Sequence, residues 1–391
     1  MDFTLTEEQQ MFREMFADFS AREIAPQAER IDHEEAIPQE LLQKIAAQGF
    51  LAALVPEEMG GVGLDVISYC LLLEEIGRAD ISTAMLISIH NGLGIKLLLD
   101  FGSEAQQEFY LEQMACGEMI GAFALTEPSA GSDIAALATV ATLHDDHYLL
   151  NGSKIWVGNG DVASLFLIFA RTGQDITAFL VQRDTPGLKI GYREKTLGLR
   201  GLACHTLYLD DCALPVTNVL GEVGQGLASQ ELQIARQAAE FDRLGLSAIS
   251  LGGAEHALAA GIRFSIEHEQ FGAPIAHKQA IQNFIADAAT EIEALRDLIF
   301  HTAWLAEERE PFGRRASMAK LFGAQVAMRT ADNMLQVHGG YGYMKEYAIE
   351  RLYRDCRALE IICGTSQIQQ FLIARDIYQQ SAGQHFSISA D

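Results

Sequence analysis

Cys363, Asp242 and His90 are the side chains whose chemistry has to be placed first. Cys363 lies in the run YRDCRALEIICGTSQIQ at residues 353–369. A thiol removes protons or attacks carbon only as the thiolate, and its ordinary pKa near 8.5 rises on apolar burial. Asp242 stands directly before Arg243; by itself the pair reads as a helix-start cap or a local ion pair. Ser88, His90 and Asn91 fall in one apolar stretch, and of the three only His90 could accept a proton at neutral pH. The other five cysteines, Cys70, Cys116, Cys204, Cys212 and Cys356, show no C-x-x-C spacing and are too sparse for a disulfide framework. They read as buried thiols.

A chain of 391 residues suggests two or three domains in one body. A formal charge of −25 argues against a nucleic-acid surface, which needs clustered Lys and Arg. The start, MDFTLTEEQQMF, lacks a signal peptide's basic and apolar regions and is acidic where a transit peptide is Arg-rich, which reads as cytoplasmic. No window reads as the roughly 20 apolar residues of a membrane span. From Thr6 to residue 117 the period is helical, with Thr6 as an entry and apolar helices at 66–76 and 82–99. Near Ile120 it changes to short β-branched and aromatic runs separated by Gly, Asn, Asp and Pro; Asn151-Gly152 reads as a hairpin turn. Helical period returns after Gly226, with helices expected at 227–240, 244–267, 278–308, 316–338 and 365–378 and a loose tail from 381. The expected domains are 1–118, 119–224 and 225–391, a fold of class α+β. The order helical, β, helical, without β-α-β alternation, argues against a Rossmann domain.

The 353–369 run resembles a signature of the acyl-CoA dehydrogenase family, with Arg354, Asp355, Arg357, Gly364, Thr365, Ser366, Gln367, Ile368 and Gln369 in matching places. The resemblance extends over residues 1–380 through several separate motifs. It implies an N-terminal all-α domain, a central β-barrel or sandwich and a C-terminal four-helix bundle, with FAD as cofactor and an acyl-CoA thioester as substrate. By resemblance, Phe123, Leu125, Thr126 and Ser132 run along the flavin, with Ser132 also near the CoA phosphates. Trp156 packs beside the ring. Gly158 stands where the family usually carries a hydroxyl that bonds flavin N5. His268, Phe271, Gln279, Gln336, Gly339 and Gly340 match the adenine and pyrophosphate surface, where Gly permits close approach, and Thr365 and Gln367 complete the flavin set. Arg200 and Arg243 match FAD-proximal or structural pairing positions. Because that surface is completed by a neighbouring subunit, the resemblance implies a homo-oligomer, usually a tetramer (a dimer of dimers), and an electron-transfer flavoprotein as acceptor.

One position departs from the family. Where most members carry the Glu that removes the substrate's α-proton, this chain has Cys363. Oxidation between Cα and Cβ needs a polarised carbonyl, a base on one face and a hydride acceptor on the other. Polarisation by the backbone at Cys363 and Gly364 survives the change; the base does not. Asp242 occupies the place of the relocated Glu in isovaleryl- and long-chain-type members, one methylene shorter. Cys363 itself is a second candidate. Changed chemistry is a third, either 1,4-elimination on a cyclic enoyl-CoA or desulfination, with a base drawn from Ser88, His90 or Asn91 beside the acyl pocket. A non-catalytic flavin- or CoA-binding subunit is the fourth.

Overall fold

Apolar residues on one face and polar caps at the ends shape the N-terminal helices. Thr6 Oγ1 accepts from the Gln9 amide at 3.2 Å while the Gln9 side chain accepts from the Thr6 amide at 3.1 Å, a reciprocal cap on the Glu7–Phe19 helix. Phe16 and Phe19 of that helix pack edge-on against Phe50. The computed structural model describes residues 4–226 and 234–382. The expected helix start at 227–233 and the tail from 383 lie outside the described residues.

Helices continue through Val66–Ala79, Ile81–Ser88, Lys96–Phe101 and Glu104–Ala115, with a π-helical segment Ile89–Ile95 in the middle. Against the expectation from sequence, Ile81–Phe101 is long and apolar enough to cross a membrane by length and composition. Here it lies in the protein interior, and every residue from 81 to 93 is buried.

The central part is one eight-stranded sheet: β1 Ile120–Ala124, β2 Val140–His144, β3 His147–Val157, β4 Ala163–Thr172, β5 Asp175–Gln182, β6 Leu188–Arg193, β7 His205–Pro215 and β8 Val219–Leu220. Their order is β6-β7-β3-β2-β4-β5-β8, with β1 parallel to β4. Both faces of β4 are buried. Leu165, Leu167 and Phe169 join the helical core, whereas Phe166 and Ile168 pack into the sheet's own core with Phe179 and Val181. The hairpin expected at Asn151-Gly152 is not there. Those residues lie inside β3, whose partner β2 is joined to it by the turn at Asp145 and Asp146. Asn151 exchanges hydrogen bonds with Asp211, and a Cβ on Gly152 would stand 2.5 Å from Thr139 Oγ1. The glycine thus serves a close strand crossing and not a turn.

The C-terminal part contains the Ile234–Glu267, Gln279–Glu307, Gly313–His338, Ala348–Leu359 and Ser366–Ala382 helices. No break separates residues 240 and 244. Phe241, Asp242 and Leu244 are all buried, so packing carries the helix through a stretch that looked like a boundary. Gly252 lets this helix press on Val66–Ala79, since a Cβ there would lie 2.1 Å from Glu74 O. An ion cluster then binds four helices: Arg296 reaches Glu74 at 2.7 Å and also pairs with Glu255, while Arg13 holds Glu75 at 3.1 Å.

The loop after β1 is fixed from within. Lys154 Nζ donates to Leu125 O at 3.0 Å and to Glu127 Oε1 at 2.7 Å, and the Glu127 carboxylate accepts from Ala138 N at 2.7 Å and Thr139 N at 3.0 Å. Burial lowers the Lys154 pKa to about 8 although Glu127 opposes the shift. Burial would raise Glu127, but the hydrogen bonds from Lys154, Thr139 and Ala138 outweigh it and hold the carboxyl below its usual range. Removing one partner of a buried pair strands the other charge at a cost of about 3–5 kcal/mol. Glu127→Ala is therefore expected to lower unfolding stability by that amount and to weaken FAD retention; unchanged denaturation and cofactor content would show that the pair does not hold this loop.

Candidate active site

Asp242 and Cys363, far apart in sequence, lie close enough for each to shift the titration of the other. Asp242 projects from well inside the Ile234–Glu267 helix, not from its start, so the cap reading is corrected. Its carboxylate is 4% exposed and accepts from Ser88 Oγ at 3.3 Å. Burial raises its pKa above the ordinary carboxylate value, partly offset by the neighbouring Cys363 and Ser88 and by the charges of Arg243 and Lys320. Burial also raises the Cys363 thiol, and the neighbouring Asp242 charge raises it further. The thiol is therefore held protonated, and its Sγ donates to Ala239 O at 3.8 Å. A carboxylate with a raised pKa is the better proton acceptor of the two.

Cys363 has φ 51° and Gly364 φ 87°, a left-handed turn between the Ala348–Leu359 and Ser366–Ala382 helices. Two buried side chains hold its carbonyls. Gln369 Nε2 donates to Cys363 O at 3.1 Å and to Gly364 O at 2.9 Å, and Lys320 Nζ donates to Gly364 O at 2.7 Å. Because a trans peptide points its C=O and N–H in opposite directions, the Gly364 and Thr365 amides face away from these anchors. Tyr69 stacks on Phe241 at 5.6 Å beside Ser88. Arg243 donates to Ser317 Oγ at 3.4 Å, and its buried Nε has no partner among the described residues. Lys320 was missed in the sequence. The available signal was its place on a helical face shared with Ala316, Gly323, Ala324 and Ala327, all small residues.

His90 and Asn91 do not join this group. His90 Nε2 donates to Met114 O at 3.2 Å and Nδ1 accepts from Gly121 N at 3.0 Å, so both ring nitrogens are engaged. Burial lowers its pKa to about 4. The ring is a neutral bracket between the helical part and β1, a correction to its reading as a proton acceptor. Asn91 Nδ2 donates to Phe50 O at 2.9 Å and Ile87 O at 3.2 Å, and its Oδ1 accepts from Leu54 N at 3.4 Å. These bonds leave the amide as an internal tie and not a substrate contact.

The residues expected to meet FAD form two surfaces. On the sheet, Trp156 ends β3 at φ 55° and is 63% exposed, an open aromatic plane whose neighbour Ile155 N donates to Thr126 O at 3.0 Å. Phe123 packs on Phe169 at 5.2 Å, Leu125 O is held by Lys154, and Ser132 is exposed on the loop. At Gly158 the terminal methyl of Ile89 fills the space, 2.7 Å from where a Cβ would be. Thr365 Oγ1 accepts from Ile368 N at 3.3 Å and Gln367 is exposed. The second surface lies at one end of the C-terminal helices. His268 stacks on Phe264 at 4.8 Å and meets Tyr341 edge-on at 5.7 Å. Gln279 opens its helix, Gln336 is exposed, and Phe271 is 93% exposed under Lys278. A Cβ at Gly339 or Gly340 would meet nothing within 4 Å, which leaves an open backbone cradle there. The bare Trp156 plane and this cradle fit a flavin dinucleotide. Arg200 is a structural partner, bound to Glu35 at 2.5 Å and 3.9 Å from Asp32.

Three domain families match in the order of the fold: acyl-CoA dehydrogenase N-terminal domain over residues 6–118, middle domain over 122–212 and C-terminal domain over 232–378. An acyl-CoA dehydrogenase of Bacillus subtilis strain 168 is 40% identical over 376 residues, covering 95% of this chain and 98% of that protein. Butyryl-CoA dehydrogenase from Megasphaera elsdenii superposes with TM-score 0.93 at 36% identity, covering 96% of this chain and 100% of that one. A chain solved in work on the electron transferring flavoprotein of Acidaminococcus fermentans and flavin-based electron bifurcation gives TM-score 0.93 at 40% identity, over 96% of this chain and 99% of that one. This chain belongs to the acyl-CoA dehydrogenase family. It is an FAD-dependent oxidoreductase that acts on the CH–CH bond of a CoA thioester.

The neutral His90 makes a prediction about stability. Its folded pKa of about 4 lies below the ordinary 6.5, so between these values the unfolded chain binds a proton that the folded chain does not. Its contribution is intact above about 6.5 and is lost as pH falls toward 4, with a slope of at most about 1.4 kcal/mol per pH unit. Urea unfolding of His90→Gln between these pH values should show a correspondingly shallower decline. An equal decline in both proteins would mean that His90 is not held neutral.

Proposed function

We propose that Asp242 is the base that removes the α-proton of the acyl-CoA, with Cys363 as its neighbour and not its substitute. The observation that carries this reading is the Asp242 carboxylate, buried, bonded to Ser88 and set beside Cys363, with its pKa raised by burial. FAD, when bound, supplies the hydride acceptor. Asp242 holds its lone pair ready because burial strengthens it as a base, while Ser88 fixes the direction of its oxygens. The turn at 363–364 orients backbone amides suited to a thioester carbonyl, whose polarisation acidifies the α-hydrogen. Thr126 and Trp156 bind and screen the flavin on the sheet side. His268, Phe271, Gln279, Gln336, Gly339 and Gly340 form the surface offered to the dinucleotide's other end, which in this reading belongs to a neighbouring subunit of a homotetramer. The exposure of Phe271 supports that arrangement.

The likeness to butyryl-CoA dehydrogenase supports short acyl-CoAs as the first substrates to test. An electron-transfer flavoprotein as the acceptor is supported by the neighbour from the Acidaminococcus fermentans work. Nothing in the comparisons favours 1,4-elimination, desulfination or a non-catalytic subunit.

Asp242→Asn keeps the side chain's shape and removes the proton acceptor. With FAD content and CoA binding preserved, anaerobic mixing with butyryl-CoA should bleach the flavin at least about 100-fold more slowly than in the wild type, the lower end for loss of a general base. Reduction within a few-fold of wild type would remove Asp242 from this role.

A further inference from the structure

We propose that Gln369 is a positioning residue for the reaction: its buried amide clamps the turn at 363–364 so that backbone N–H groups on the turn's other side meet the thioester carbonyl. The inference rests on the reading of this turn as the element that binds that carbonyl. Gln369 is fully buried and stands in the first turn of the Ser366–Ala382 helix, from which its side chain reaches back. Nε2 donates to Cys363 O at 3.1 Å and to Gly364 O at 2.9 Å, which uses both of its hydrogens. With two carbonyls as partners, the nitrogen end of the amide has to be the one that faces the turn. Its Oε1 is buried and has no partner among the described residues, so the amide serves the turn and nothing else.

The turn needs such a hold. Cys363 is a non-glycine residue at φ 51° and Gly364 follows at φ 87°, so two successive left-handed residues reverse the chain between helices. A Cβ on Gly364 would stand 2.8 Å from Gln369 Nε2, in the space the amide occupies. Lys320 Nζ is a second donor to Gly364 O at 2.7 Å, but among the described residues Gln369 alone bridges both carbonyls. With the Gly364 carbonyl fixed, the Thr365 N–H of the same peptide plane points the opposite way. That N–H and the Cys363 N–H have no acceptor among the described residues. Unpaired N–H groups around a left-handed turn form a concavity suited to an oxygen that gains negative charge. The turn also packs against the helix of the proposed base: Cys363 Sγ lies 3.8 Å from Ala239 O, three residues before Asp242.

Gln369→Met removes the donor at similar length; Gln369→Asn keeps an amide that falls one methylene short of the carbonyls. The measurement is calorimetric titration of FAD-loaded protein with acetyl-CoA, which has no β-carbon to oxidise, and with S-ethyl-CoA, the thioether that lacks the carbonyl. Wild type is expected to bind acetyl-CoA the more tightly. Both variants should lose about 5- to 10-fold of that preference, the scale of one hydrogen bond, with S-ethyl-CoA affinity nearly unchanged. Flavin reduction by butyryl-CoA should slow in parallel, since a less polarised carbonyl leaves the α-hydrogen less acidic. An undiminished preference in either folded variant overturns the proposal. Equal weakening of both ligands overturns it too, as does failure of both variants to fold or hold FAD, because either marks Gln369 as structural only. Wild type with no preference for acetyl-CoA refutes the reading of the turn as the carbonyl's binding site, and the proposal with it. A wild-type preference that survives in the variants leaves that reading standing and removes Gln369 alone.

Discussion

A carboxylate that takes a proton from carbon must be dry enough to be a strong base yet remain ionised, and these demands oppose each other. At Asp242 the protein meets them with partners drawn from four separate segments. Ser88 arrives from the N-terminal helices, Arg243 from the next position on its own helix, Lys320 from Gly313–His338 and Cys363 from the turn beyond Ala348–Leu359. Apart from Arg243, which shares its helix, these partners come together only when the helical parts pack. In the proposed reading the base is thus a product of tertiary structure, and its strength depends on how rigidly those helices are held.

Rigidity comes from close backbone approach and buried ion pairs. Gly252 brings the Ile234–Glu267 helix against Val66–Ala79, and the Arg296, Glu74 and Glu255 cluster fixes their register against Gln279–Glu307. The run at 353–369 has an equally structural side. Arg354 forks onto Asp32 with two bonds of 2.8 Å, and Asp355 accepts from Leu199 N at 2.6 Å. Asp355 is driven up to about pKa 7, chiefly by burial. These two residues tie the C-terminal helix to the N-terminal part and to the loop before β7, so the turn that follows, with Cys363 and Gly364, is carried on a fixed support. The same stretch of sequence therefore anchors three parts of the molecule and presents the catalytic turn.

Much of the fold was legible because it depends on local period and local caps. The Thr6 cap, the change to β-type runs near Ile120 and the long helix ending at His338 follow from patterns within a few residues. The misreadings share a different cause. Asn151-Gly152 has turn chemistry but lies in a strand, because Thr139, just before β2, needs the space above the glycine. The helix through 240–244 is continuous because Phe241 and Asp242 are buried by distant partners. His90 could have been a base by type; the Met114 carbonyl and the Gly121 amide make it a bracket. The residues assigned to the flavin rest on resemblance, while Lys320 carried no motif and became visible only when its amine met Gly364.

The relation between Cys363 and Asp242 follows from the same electrostatics. Two carboxylates in contact cannot both ionise at neutral pH, since the proximity of like charges raises one pKa strongly. A Glu at 363 would stand against Asp242 and contest the proton that the reaction must move. A thiol there does not compete: held protonated by burial, it adds no charge beside Asp242. The turn keeps its left-handed φ and its two carbonyl anchors whichever side chain it bears, so the backbone contribution at 363–364 is independent of the base. A base at Asp242, as proposed, sits on a helix, which also changes its freedom. An Asp has one fewer torsion than a Glu, and inside a packed helix its carboxylate is placed by the backbone and not by a flexible stem. The shorter reach is then a constraint on the acyl group, whose α-carbon has to come to the helix.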